Sequence, residues 1–172
     1  CQQADTVKTT SLSLLEWNGY QHPEYYPEYI AKYGGPPQFT FFSTVEGAIQ
    51  RMITGLKVDV VHLCPNQMVE ARDHGIIKPL DTSRIARWED MSPELLELPD
   101  VRIDNEYWIA PWEWGYSTVA YNPEIIDVEN PTYEIFVDPR FKGKTALESQ
   151  VGVNIVIAGV IGGWAVPWDP TE

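Results

Sequence analysis

The chain has 172 residues, enough for one domain or one and a half, and its 44% hydrophobic and 22% charged residues suit a folded globular protein. With 25 acidic residues against 12 basic ones the net charge is −13, which argues against nucleic acid and anionic membrane surfaces as partners and fits attraction of cations. No apolar run reaches transmembrane length: the longest, residues 151–166, is interrupted by Asn154, is rich in glycine and reads as a buried segment.

In chain order, residues 11–15 alternate and then turn apolar, the mark of a buried strand running into Trp17. Residues 23–33 place Tyr26, Tyr29, Ile30 and Tyr33 at helical spacing, and Gly34-Gly35-Pro36-Pro37 predicts the stop. Residues 39–42 read as a second strand. Ser43 with Glu46 then forms a candidate capping box, and Val45, Ile49, Met52, Ile53 and Leu56 continue as a helical stripe. Residues 58–61 read as a third strand, followed by a helix over residues 66–74 that Gly75 closes. This alternation predicts an α/β fold with a mainly parallel sheet flanked by helices. Residues 79–105 are polar, with a short helix near residues 92–98; residues 123–139 read as a connector and residues 141–147 as a new strand.

Ligand sites in such sheets lie beyond the carboxyl ends of the strands. Residues 17–20, 43–44 and 62–66 are therefore site candidates on geometry alone. Residues 110–122, Ala-Pro-Trp-Glu-Trp-Gly-Tyr-Ser-Thr-Val-Ala-Tyr-Asn, set Trp112 and Trp114 around Glu113 before a glycine turn and a strand-like run. Aromatic faces beside a carboxylate can hold an organic cation, and they can equally be a strand end whose indoles fill core. If Trp112 and Trp114 line a cleft, strand alternation points Glu113 away from it.

Five stretches resemble the spermidine/putrescine-binding branch of the periplasmic solute-binding proteins of ABC importers. They are residues 14–20 (Leu-Leu-Glu-Trp-Asn-Gly-Tyr), 58–61 (Val-Asp-Val-Val), 75–81 (Gly-Ile-Ile-Lys-Pro-Leu-Asp), 111–122, and 138–144 (Asp-Pro-Arg-Phe-Lys-Gly-Lys). The resemblance implies a two-lobed clamp that closes on a small organic cation and docks on a membrane permease. It predicts a tether at residues 1–10, a first lobe at residues 11–122, and at residues 123–172 a connector with the beginning of an incomplete second lobe. Cys1 resembles the mature end of a bacterial lipoprotein, which implies a periplasmic or extracytoplasmic protein whose only membrane link is a lipid on that residue.

The same resemblance implies that Trp17 and Tyr20 pack on the ligand, that Asn18, Cys64 and Asn66 supply polar contacts, and that Trp112 or Trp114 walls the cleft, with Glu113 a candidate counter-charge. Cys64 and Asn66 depart from the family's usual hydroxyl and aromatic residues, and of its second-lobe carboxylates only Glu148 remains, out of place. These departures leave open a small organic cation other than the standard polyamines. His22, His62 and His74 show no metal-ligand spacing and no phosphate-binding glycine loop is present, so neither metal nor cofactor is expected. Two alternatives stand beside the binding protein: a truncated lobe serving as a structural or interaction subunit, and, last, a thiol hydrolase using Cys64 beside His62.

Overall fold

The structure, a computed structural model, describes residues 11–164; Cys1 and the rest of the expected tether lie outside the described residues, as do residues 165–172. Among the described residues, 11–112 form one compact unit and 113–164 a second.

The first unit is built on three parallel strands in the order β2-β1-β3: β1 (Ser13–Trp17), β2 (Gln38–Phe42) and β3 (Val60–Val61). Register pairs Leu15 with Thr40 on one side and with Val61 on the other. Because successive side chains of a strand alternate, Leu15 and Trp17 share one face of the sheet and Leu14 and Glu16 the other. On the Leu15 face the helices α2 (Val45–Ile53) and α3 (Met68–Asp73) close the core. Leu15 is fully buried there among Phe42, Ala48, Ile49, Met52 and Met68. The opposite face carries Phe39, in ring contact with Tyr26 at 5.4 Å, and the Tyr29 hydroxyl accepts from the Leu12 amide just ahead of β1.

Local chemistry adjusts the predicted elements. The helix expected over residues 23–33 is broken into a 3-10 turn at Pro23–Tyr25 and helix α1 at Pro27–Tyr33. Pro27 disfavours helical geometry at the preceding residue, and Tyr26 sits at φ −128°. Helix α1 ends as expected at Gly34, whose φ of 81° suits a residue without a Cβ. Helix α2 is capped by Thr44 and not by Ser43: the Thr44 hydroxyl accepts from the Gly47 amide at 3.2 Å. Strand β3 is shorter than its apolar run; at Asp59 the carboxylate accepts from the Ser13 amide and hydroxyl, at 2.8 and 2.6 Å, and the Asp59 amide donates to the Ser13 carbonyl at 3.0 Å. The expected helix over residues 66–74 begins as a 3-10 turn at Pro65–Gln67 before α3. A short helix, α4 (Pro93–Leu96), stands where one is predicted.

One element has no counterpart in the sequence reading. Strands β4 (Arg102–Ile103) and β5 (Glu106–Tyr107) form a hairpin whose two-residue turn, Asp104-Asn105, has φ of 52° and 66°. Both values lie in the left-handed region that a type I′ turn demands and that short polar side chains tolerate. The hairpin is anchored by Ile103, which packs on the core, and by Arg72 of α3, whose guanidinium meets Asp104 at 3.1 Å.

In the second unit the expectations fare less well. Residues 116–122 and 141–147 carry no strand, and no strand occurs among the described residues of this unit. An extended segment without a neighbour to bond does not form a ladder. The unit's main element is helix α5 (Val151–Ile161), and it corrects the reading of this stretch as buried. Ile157 is buried, but Val151 is 71% and Ile155 51% exposed. A helix apolar on all sides buries only the side that meets another element.

Candidate functional site

The site assembles where β1 and β3 finish. Gly19, at φ 111°, turns the chain after β1, with its amide donating to the Gln21 side chain at 2.7 Å. This turn delivers Tyr20 edge-on to His62, the residue after β3, at 5.1 Å between ring centres. Trp112, the last residue of the unit, joins them: its ring lies 5.5 Å from Tyr20, 5.6 Å from His62 and 6.5 Å from Tyr25. These edge-to-face contacts match the ring quadrupoles and hold four flat groups at one corner of the sheet. The corner is open to water, with Trp112 53% and Tyr25 50% exposed.

Beneath the rings lies a carboxylate. Glu16 of β1 is 5% exposed, the one charged side chain in the buried set among the described residues. The register that sets Leu15 against Val61 continues to set Glu16 against His62, and Glu16 Oε1 meets His62 Nδ1 at 2.5 Å. The same oxygen accepts from the Trp17 amide at 3.0 Å. Burying a carboxylate is costly unless it is hydrogen-bonded, and these two donors meet that need. On the far side of the imidazole, the Trp112 indole N–H donates to Nε2 at 3.4 Å. The Tyr26 hydroxyl is pushed above its ordinary pKa, first by burial and then by the negative charge of Glu16.

The other selected residues are distributed unevenly. Trp17, on the Leu15 face, packs on Phe42 at 4.5 Å and against the core, half-buried. Asn18 is exposed, its side-chain oxygen accepting from Gln21 at 3.4 Å. Cys64 is half-buried, with its carbonyl accepting from the Gln67 amide, and Asn66 is exposed on the 3-10 turn that follows. Thr44 is occupied in capping α2. Glu113 and Trp114 belong to the second unit, both exposed, with the Trp114 ring 5.1 Å from Tyr116. That unit also has an open cavity of about 380 Å³, bounded by Ser117, Thr132, Tyr133, Glu134 and Val160, and none of the selected residues lines it. Glu148 is exposed, and its carbonyl accepts from Asn154.

Two residues of the cluster, Glu16 and Tyr25, escape the sequence reading, and His62, inside the candidate stretch 62–66, is not paired there with Glu16. The signal was faint but present. Alternation sets Glu16 on the opposite face from Leu15, and only the strand order makes it a neighbour of His62. Among the described residues no cluster of three His, Cys, Asp or Glu side chains could hold a metal ion. No helix among them is long and apolar enough to cross a membrane.

No protein-family model matches the chain. Among curated proteins it is similar to the putrescine-binding periplasmic protein PotF of Escherichia coli, 24% identical over 115 residues, which cover 65% of this chain and 30% of that protein. It is 23% identical to the putrescine/agmatine-binding protein of Pseudomonas aeruginosa over 114 residues, 66% of this chain and 31% of the relative. A second Pseudomonas aeruginosa protein, the putrescine-binding periplasmic protein SpuD, is 20% identical over 122 residues, 70% of this chain and 33% of its own length. The chain thus spans about a third of the length of the curated relatives it matches. All three carry the name of a binding protein and none that of an enzyme.

Proposed function

We propose that this chain contributes the first ligand-gripping lobe of an extracytoplasmic solute-binding protein serving an ABC importer, and that its solute is a small organic cation of the polyamine class. The observation that carries the proposal is the open ring cluster of Tyr20, Tyr25, His62 and Trp112 set over a buried carboxylate. A cation against such rings gains about 2 kcal/mol when desolvated. Glu16 places a negative group one imidazole behind the ring faces, and the net charge of −13 attracts the same ligands from a distance. The names of the relatives support the ligand class and the compartment.

In this reading Tyr20 and Trp112 are the stacking faces and Tyr25 extends them. Asn18, Cys64 and Asn66 line the approach from the strand ends with polar atoms, and Trp17 braces the site from the core side. A clamp of this kind gains its affinity from two lobes closing, so a single lobe binds weakly.

Calorimetric titration of the chain with putrescine tests the proposal. Saturable binding is expected, weakened about tenfold or more in Trp112→Ala or Tyr20→Ala. Equal affinity in both variants and the unaltered chain would overturn it.

A further inference from the structure

The ring cluster is coupled to the buried carboxylate through a single imidazole, and the chemistry of the three groups permits only one arrangement. The indole N–H of Trp112 can only donate, so the 3.4 Å contact requires His62 Nε2 to carry a lone pair. A neutral imidazole then bears its hydrogen on Nδ1, where Glu16 Oε1 lies at 2.5 Å and accepts it. Both bonds are made only by the neutral ring in its Nδ1–H form. Protonation places a hydrogen on Nε2, so donor meets donor: the Trp112 bond is lost while the Glu16 contact becomes an ion pair.

We propose that Glu16 and His62 are positioning residues, which hold the Trp112 indole as a wall of the ligand cage while His62 is neutral and release it on acidification. The proposal rests on the cation-binding reading for its functional consequence, though not for the hydrogen-bonded chain itself. Trp112 is half-exposed and its ring contacts are Tyr20, Tyr25 and His62, so the bond to His62 is the one that orients its polar edge. Titratable groups face this arrangement from the neighbouring elements: Glu16 from β1, Tyr20 from the turn after it, Tyr25 and behind it His22 at the 3-10 turn, and Tyr26 near Glu16; Cys64 lies two positions along the chain from His62. An imidazolium here acts twice against a bound cation, by repulsion and by freeing the wall.

The test uses the whole chain labelled with ¹⁵N, its Trp112 indole resonance assigned by comparison with Trp112→Phe. Between about pH 7.5 and about pH 5, the range in which imidazoles change charge, that resonance is expected to shift in a single titration. In His62→Gln, whose side-chain oxygen accepts without titrating in this range, the shift is expected to vanish. Putrescine affinity in the unaltered chain is expected to fall with acidification, and His62→Gln to flatten that profile. His62→Ala is expected to lose about fivefold at neutral pH, the scale of one hydrogen bond, with glutamine restoring more affinity than alanine. An indole resonance that ignores pH, or a His62→Gln profile as steep as that of the unaltered chain, overturns the proposal. If the resonance titrates as expected and no form of the protein binds putrescine, the hydrogen-bonded chain stands and the polyamine reading falls.

Discussion

The two units of this chain use apolar residues in opposite ways. In the first, a sheet three strands wide is covered on the Leu15 face by α2 and α3, and Leu15, Ala48 and Ala71 are fully buried. In the second, α5 is apolar along almost its whole length, yet Val151, Ile155 and Val160 face water. The contrast shows that hydrophobicity supplies the drive for burial while a second layer supplies the place for it. It also separates structural from local polar contacts. Asp59 joins strands through Ser13, 46 positions away, whereas Asp138 bonds Arg140 only two positions on.

Three measurements can break or sharpen this comparison. The largest effect is expected from Leu15→Ala, which removes a fully buried side chain from the centre of the first unit. A loss of about 2–5 kcal/mol in urea unfolding followed by far-ultraviolet circular dichroism is expected. A loss below about 1 kcal/mol would mean that the sheet is not the unit's core.

The acid dependence comes next. Hydrogen bonds from Ser13 hold the Asp59 carboxyl below its ordinary pKa, and Arg140 does the same for Asp138. A depressed folded-state pKa contributes stability above the unfolded value, and that contribution is lost as pH falls through the folded one. Asp59→Asn is therefore expected to lower stability at neutral pH and to flatten its decline below about pH 4. Asp138→Asn, whose bond closes only a local turn, is expected to change the same curve less. Equal effects would remove the distinction between strand-joining and local pairs.

The smallest effect belongs to the exposed side of α5. Ile155→Ser is expected to alter unfolding by less than about 0.5 kcal/mol, because the side chain already meets water. Ile157→Ser, two positions on and buried, is expected to cost more on the same measurement. The reverse order would assign the exposed face a packing partner.

Much of the first unit is legible without coordinates. The alternation into Trp17, the stripe Val45, Ile49, Met52, and the glycines at 34 and 75 each follow from local periodicity or turn chemistry, and each marks an element or its end in the structure. The hairpin at Asp104-Asn105 is not legible, because strands of two residues have no period to read. The broken helix at Tyr26 was legible in Pro27, yet the tyrosine spacing masked it. Of the site, Tyr20 and Trp112 stand out as aromatic side chains beside turns, but Glu16 looks like any strand carboxylate until its neighbour is known.

What the amino-acid order determined by itself is the set of pieces: strand, helix and turn follow from the spacing of apolar side chains and from glycine and proline, because those preferences act within a few residues. Tertiary structure alone decided the pairing. Strand order β2-β1-β3 and its register brought Glu16 against His62, 46 positions apart, and set Trp112 beyond it. A hydrogen bond depends on distances of a few ångströms, and those are fixed by packing rather than by separation along the chain.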